Sequence, residues 1–177
     1  MNYSAIAVRY AKALFSLAKE KNKLSKIKED MAQIVAVCDQ DEVFNRFLGN
    51  PVLPFSKKNK IFDAIFKQAD KMTLDFIHLV TKKRREAFLK QMALDFLDFY
   101  KEEKGIKTIH FTSVSKIDDK VRKEISDIIK NSFNAETELI ENTDDKLVGG
   151  FVMRIDDLQY DASVSKQLEY IKREIIK

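Results

Sequence analysis

A chain of 177 residues suits one full-sized domain or two small ones, and 45% apolar residues supply a core in either case. Only four glycines and two prolines occur in the whole length, against abundant Ala, Leu, Lys and Glu, which argues against a turn-rich all-β fold, and no apolar run approaches the ~20 residues of a membrane span. The net charge of +4 is uneven, about +6 over residues 1–105 and about −2 over 106–177, but the lysines alternate with carboxylates and form no single stripe for nucleic acid or an anionic membrane surface.

From Ser4 to about Lys104 the pattern predicts successive helices with short breaks. Ser4 is placed to cap the first, and Asn22 interrupts before a second over Leu24 to Val37. The stretch from Met1 to Lys19 is basic, amphipathic and free of acids, as a transit peptide would be, yet it runs into the next helix without a cleavage-like break. A short amphipathic piece from Val43 to Leu48 ends at Gly49-Asn50-Pro51. Pro51 and Pro54 forbid continuation, so Ser56 starts a fourth helix carrying Ile61, Phe62, Ile65 and Phe66. Thr73 to Arg85 and Glu86 to Lys101 complete six helices, a bundle over residues 1–105.

Texture changes at Gly105. From Ile106 to Val114 the apolar residues Ile109 and Phe111 alternate with Thr108, His110 and Thr112, a period of two that reads as a strand. Asp118 to Phe133 returns to helical spacing, with Asp118 as a candidate cap. Glu136 to Glu141 and Phe151 to Ile155 read as strands. Asp156-Asp157 turns the chain into a short strand ending near Asp161, and an amphipathic helix from Ser163 to Ile176 closes it. The expected fold is mostly α: an N-terminal six-helix bundle, then a small α+β C-terminal domain over 106–177.

Candidate chemistry is sparse. His78 and His110 have no second His or Cys at metal-ligand spacing, so no metal site is expected. The doublet Gly149-Gly150 leads into a strand, whereas a phosphate-binding loop leads into a helix; it reads as a turn or bulge, and no cofactor is expected. Cys38 falls in the helical series Leu24, Ile27, Met31, Ile34, Cys38 and reads as core. Carboxylates sit among lysines as solvated pairs, so no acid/base couple stands out and no catalytic residue is assigned.

What stands out is surplus apolar perimeter. On the first helix Ile6, Tyr10, Ala13, Leu14 and Leu17 occupy one sector, while Ala7, Ala11, Phe15 and Ala18 fill the next, together roughly 200°. Arg9, Lys12, Ser16 and Lys19 share the narrow remainder. Leu74, Phe76, Ile77, Leu79 and Val80 spread over a similar arc on the fifth helix. Either both helices are central in the bundle, or they form a groove for a helix of another chain. Periodicity alone does not choose. Lys82-Lys83-Arg84-Arg85 is the densest basic cluster: a solvated helix end by one reading, and with Lys57-Lys58 the footprint of a helical nucleic-acid-binding adaptor by another.

Several strings in order carry a resemblance: Arg9-Tyr10-Ala11-Lys12-Ala13-Leu14-Phe15, Asn50-Pro51, Arg84-Arg85, then Leu147-Val148-Gly149-Gly150-Phe151, Arg154-Ile155 and Asp161-Ala162-Ser163-Val164 with Leu168. Together they resemble the delta subunits of F-type ATP synthases, the bacterial counterparts of the mitochondrial oligomycin-sensitivity-conferring protein; Asp156 departs from the glycine common there. The resemblance implies a non-catalytic stator subunit, one copy per complex, peripheral on the cytoplasmic face of a bacterial plasma membrane. It implies that residues 1–105 bind the N-terminal helix of an alpha subunit in a groove between the first and fifth helices, with Ala7, Tyr10, Ala11, Leu14, Phe76, Leu79 and Val80 as contact candidates. Residues 106–177 would engage the peripheral-stalk b subunits, and Gly149, Gly150, Phe151, Asp161, Ser163 and Val164 form the closing signature, a structural one. No nucleic acid and no membrane insertion are implied.

Overall fold

The computed structural model describes residues 5–115, 117–133, 136–145, 147–155 and 158–175. The expected cap at Ser4 and the turn at Asp156-Asp157 lie outside them. The fold is mostly helical with a small four-stranded sheet towards the C-terminus. It divides into two compact units, Met1–Lys101 and Glu102–Lys177.

In the first unit the helices are α1 (Ala5–Glu20), α2 (Leu24–Gln40), α3 (Glu42–Gly49), α4 (Phe55–Ile65), α5 (Lys71–Lys82) and, after a 3₁₀ turn at Glu86–Phe88, α6 (Leu89–Lys104), whose last turn passes into the second unit. Each contributes one apolar face to a common core. Ala7, Ala11, Leu14 and Ala18 of α1 and Ile27, Met31, Ile34 and Cys38 of α2 are buried in the same core, and Phe15 sets its ring edge-on to Phe96 of α6 at 5.7 Å. Burial pushes the Cys38 thiol up in pKa, away from the reactive thiolate.

Helix ends differ from the sequence expectation where a cap was not recognised. α5 begins at Lys71 rather than Thr73, because the Asp70 carboxylate accepts from the Met72 N–H at 2.9 Å. It stops at Lys82 rather than Arg85, because Arg84 takes φ 53° and the Arg85 N–H closes back onto the Val80 carbonyl. Asn22, at φ 54°, ends α1 in the same way, with the Lys23 N–H bound to the Ala18 carbonyl. α4 starts at Phe55 rather than Ser56, behind Pro54 and with no side-chain cap bond.

The second unit carries β1 (Lys107–Ser113), α7 (Asp119–Phe133), β2 (Thr137–Thr143), β3 (Phe151–Ile155), β4 (Leu158–Asp161) and α8 (Val164–Ile175). The strand order is β2-β1-β3-β4. β1 and β2 are parallel, as the α7 crossover requires, and the other two pairings are antiparallel. Alternation puts Ile109 opposite both Leu139 and Ile155, and Phe111 opposite Met153, on one face. Ile109 and Ile155 are buried there, with Ile125 of α7 packed on them.

Candidate docking groove

α1 and α5 flank a groove of about 860 Å³ on the first unit. The helices run antiparallel, as two fastenings show. At one end the Arg85 guanidinium donates to the Tyr10 hydroxyl at 3.1 Å and lies 5.4 Å from its ring centre, a cation-π contact. At the other end the Lys23 ammonium pairs with Asp70 at 2.7 Å. Between them the Tyr10 and Phe76 rings meet edge-on at 6.4 Å.

Asp70 works on both sides of its end. Its carboxylate takes the Lys23 hydrogen bond and the Met72 N–H, and these hold its pKa below the ordinary aspartate value. Its own backbone N–H donates at 2.8 Å to the buried Asp30 carboxylate, which also accepts from the Thr73 hydroxyl at 2.6 Å. α2 thus pins the start of α5, with Lys26 3.6 Å from Asp30 to balance its charge.

Leu14 and Phe76 form the groove floor, 4% and 8% exposed. Tyr10 and Met72 are half-buried above them, and Leu17 and Leu79 stand 42% and 48% exposed at the lips. Large apolar side chains left this open in one concave strip are a docking signature. The rim is basic: Arg9, Lys21, Lys71 and Lys83 line it and have no ion-pair partner among the described residues.

Of the seven contact candidates, the structure brings Tyr10, Leu14, Phe76 and Leu79 together in the groove. Ala7, Ala11 and Val80 are fully buried and belong to the unit's own core. For those three the interior explanation of the surplus perimeter holds, because the wide arc is shared between two faces. Met72 was missed, since it precedes the expected helix start. Ala13 and Leu17 were in the apolar arc but not among the candidates.

Two strings far apart in sequence meet in a smaller cavity of about 250 Å³, where Asn50 and Pro51 face Arg84 and Glu86. Beneath it Lys58 is buried and ion-paired to Glu86 at 2.5 Å, with its ammonium 5.8 Å from the centre of the Phe47 ring. A buried, paired lysine is unavailable to phosphates, and Arg85 is engaged with Tyr10. This removes two members of the basic set on which the nucleic-acid reading rested. Among the described residues no group of three or more His, Cys, Asp or Glu is placed to hold a metal ion. No helix there is long and apolar enough to cross a membrane.

In the second unit the closing signature gathers at one junction. Gly150 has φ 79°, and a Cβ there would lie 2.2 Å from the Ala162 carbonyl oxygen, so the backbones approach where only glycine fits. The Gly149 carbonyl accepts from the Val164 N–H at 3.0 Å and the Phe151 carbonyl from the Ala162 N–H at 2.9 Å. Asp161 accepts from the Ser163 N–H at 3.0 Å, and the Ser163 hydroxyl from the Lys166 N–H at 3.3 Å, which caps α8. Phe151 stacks on Phe111 at 5.0 Å.

Residues 6–175 match the family model described as ATP synthase delta (OSCP) subunit. The ATP synthase subunit delta of Cytophaga hutchinsonii is 36% identical over 173 residues, covering 97% of this chain and 94% of its own. That of Christiangramia forsetii is 31% identical, covering 99% and 95%. A chain in the cryo-EM structure of the Toxoplasma gondii mitochondrial ATP synthase hexamer superposes with a TM-score of 0.78 over 98% of this chain and 99% of its own; at 21% identity it speaks to fold alone.

Proposed function

The chain belongs to the ATP synthase delta (OSCP) subunit family, and from that premise we propose that it is the stator piece tying the catalytic head of an F-type ATP synthase to its peripheral stalk. The first unit seats the amphipathic N-terminal helix of an alpha subunit in the α1–α5 groove. The second engages the peripheral-stalk b subunits. One copy serves each complex, held peripherally on the cytoplasmic face of a bacterial plasma membrane; the bacterial origin of the two relatives at 36% and 31% identity supports that location.

The observation that carries this reading is the open apolar strip formed by Leu14, Phe76, Leu17 and Leu79. An amphipathic helix laid on it removes apolar area from water at ~25 cal/mol per Å², offset in part by the cost of ordering the partner segment. The role is mechanical. Rotation within the complex exerts torque on the head, and a tether that holds both ends keeps the head still without chemistry of its own. Two attachment points on one short chain raise the effective concentration of each partner for the other.

The test is Leu79→Glu in the assembled enzyme. A charge on the groove lip releases the head, so ATP hydrolysis persists while coupled proton pumping is lost. Loss of hydrolysis itself, or pumping that survives intact, contradicts the stator role. Ala11→Glu, an alternative on sequence grounds, is unsuitable, because Ala11 is buried in the core and a charge there disrupts the fold.

A further inference from the structure

The groove is electrically lopsided along its length. At one end Arg9 of α1 and Lys83 just past α5 line it together with Arg85, and no carboxylate lines that end. At the other end Lys21, Lys23 and Lys71 are accompanied by Asp70 and Asp75, and Lys23 is already paired with Asp70. The antiparallel helix dipoles of α1 and α5 oppose each other, so side chains set the difference in potential. Each wall, Arg9 to Lys21 and Lys71 to Lys83, runs about 12 residue steps, or about 18 Å of helix.

Resting on the reading of the groove as a seat for a partner helix, we infer that the occupant is an amphipathic helix of about three turns that enters in one direction only. Its carboxylate-bearing end sits between Arg9 and Lys83, and its apolar stripe covers Leu14, Leu17, Phe76 and Leu79. Both cations are exposed and have no ion-pair partner among the described residues, so an arriving carboxylate need not displace an existing salt bridge. Carboxylates at the opposite end meet Lys21 and Lys71 as well, but also the like charges of Asp75 and Asp70, so three cations are offset there by two carboxylates where the first end has three cations and none. A difference of two surface charge interactions between the ends, at about 0.7 kcal/mol each, amounts to about tenfold in affinity.

Two synthetic 14-residue peptides with the same apolar stripe test this on the full chain, one with two Glu in its first turn and one with two Lys, each nitroxide-labelled at that turn. At about 20 mM salt the Glu peptide binds about tenfold tighter, and the gap narrows towards unity as salt is raised. The nitroxide broadens the amide signals of Arg9 and Lys83. The double substitution Arg9→Glu/Lys83→Glu reverses the preference, which separates groove electrostatics from the peptides' own helicity. Equal affinities, no reversal, or broadening at Lys21 and Lys71 overturns the directional seat while leaving the groove as a docking site. Failure of both peptides to bind at any salt overturns the groove reading and the inference with it. Self-association of the chain that the Glu peptide abolishes would make a second copy the occupant, and overturns the inference as well.

Discussion

Leu79→Ala separates docking from folding. The side chain is 48% exposed and takes no part in the unit's core, whereas its neighbour Val80 is fully buried. Full burial of a leucine side chain is worth about 1.5–3 kcal/mol, and roughly half of that remains to be gained when a partner covers Leu79. Truncation therefore removes about 0.7–1.5 kcal/mol of binding, roughly 3- to 12-fold in Kd. Stability should stay within about 0.5 kcal/mol of wild type. Val80→Ala should do the reverse, destabilising the fold by about 2 kcal/mol while the surviving folded protein binds normally. Calorimetric titration with a peptide of the cognate alpha subunit's N-terminal helix, paired with urea denaturation, reads both quantities. Unchanged affinity in Leu79→Ala, or a loss of stability as large as that of Val80→Ala, refutes the assignment of these adjacent residues to opposite sides of α5.

Gly150→Ala combines a φ of 79° with a Cβ 2.2 Å from backbone oxygen, so it should cost about 3 kcal/mol or more, seen in urea melts as early unfolding of the second unit. Lys58→Ala leaves Glu86 buried and unpaired and should cost about 3–5 kcal/mol, while Lys58→Met with Glu86→Leu should recover most of it in the same denaturation assay. Asp70 has a folded pKa below its unfolded one, so its contribution is present above the ordinary aspartate value near ~4 and is lost as pH falls through the folded value. The stability gap between wild type and Asp70→Asn should thus be full at about pH 7 and shrink on acidification below about pH 4, measured by urea titration at each pH.

Much of this was legible because it is periodic. The alternation of Ile109 and Phe111 with Thr108, His110 and Thr112 marked β1, and the wide apolar arcs on α1 and α5 singled out the two helices that flank the groove. Periodicity ranks positions around a helix, but it does not say which part of a wide arc the helix's own bundle will cover. For that reason periodicity does not separate Ala7, Ala11 and Val80 from Tyr10, Leu14, Phe76 and Leu79, whereas burial does. Small alanines on α1 let neighbouring helices approach closely, and that approach is intramolecular. The remainder depends on long-range pairing. Lys58 reads as a surface cation beside Lys57 until Glu86, 28 residues on, is brought to it. The Tyr10–Arg85 fastening spans 75 residues. Met72 fell outside the expected helix because the capping role of Asp70 was overlooked, although an aspartate just before an apolar periodic run is a readable start signal.

The central claim is that the α1–α5 groove holds the catalytic head. A photo-activatable phenylalanine analogue at position 79, irradiated in the assembled ATP synthase and followed by mass spectrometry of the adduct, tests it directly. Crosslinking to the N-terminal segment of an alpha subunit is the predicted result. Adducts with a b subunit, or with no other chain, would contradict it.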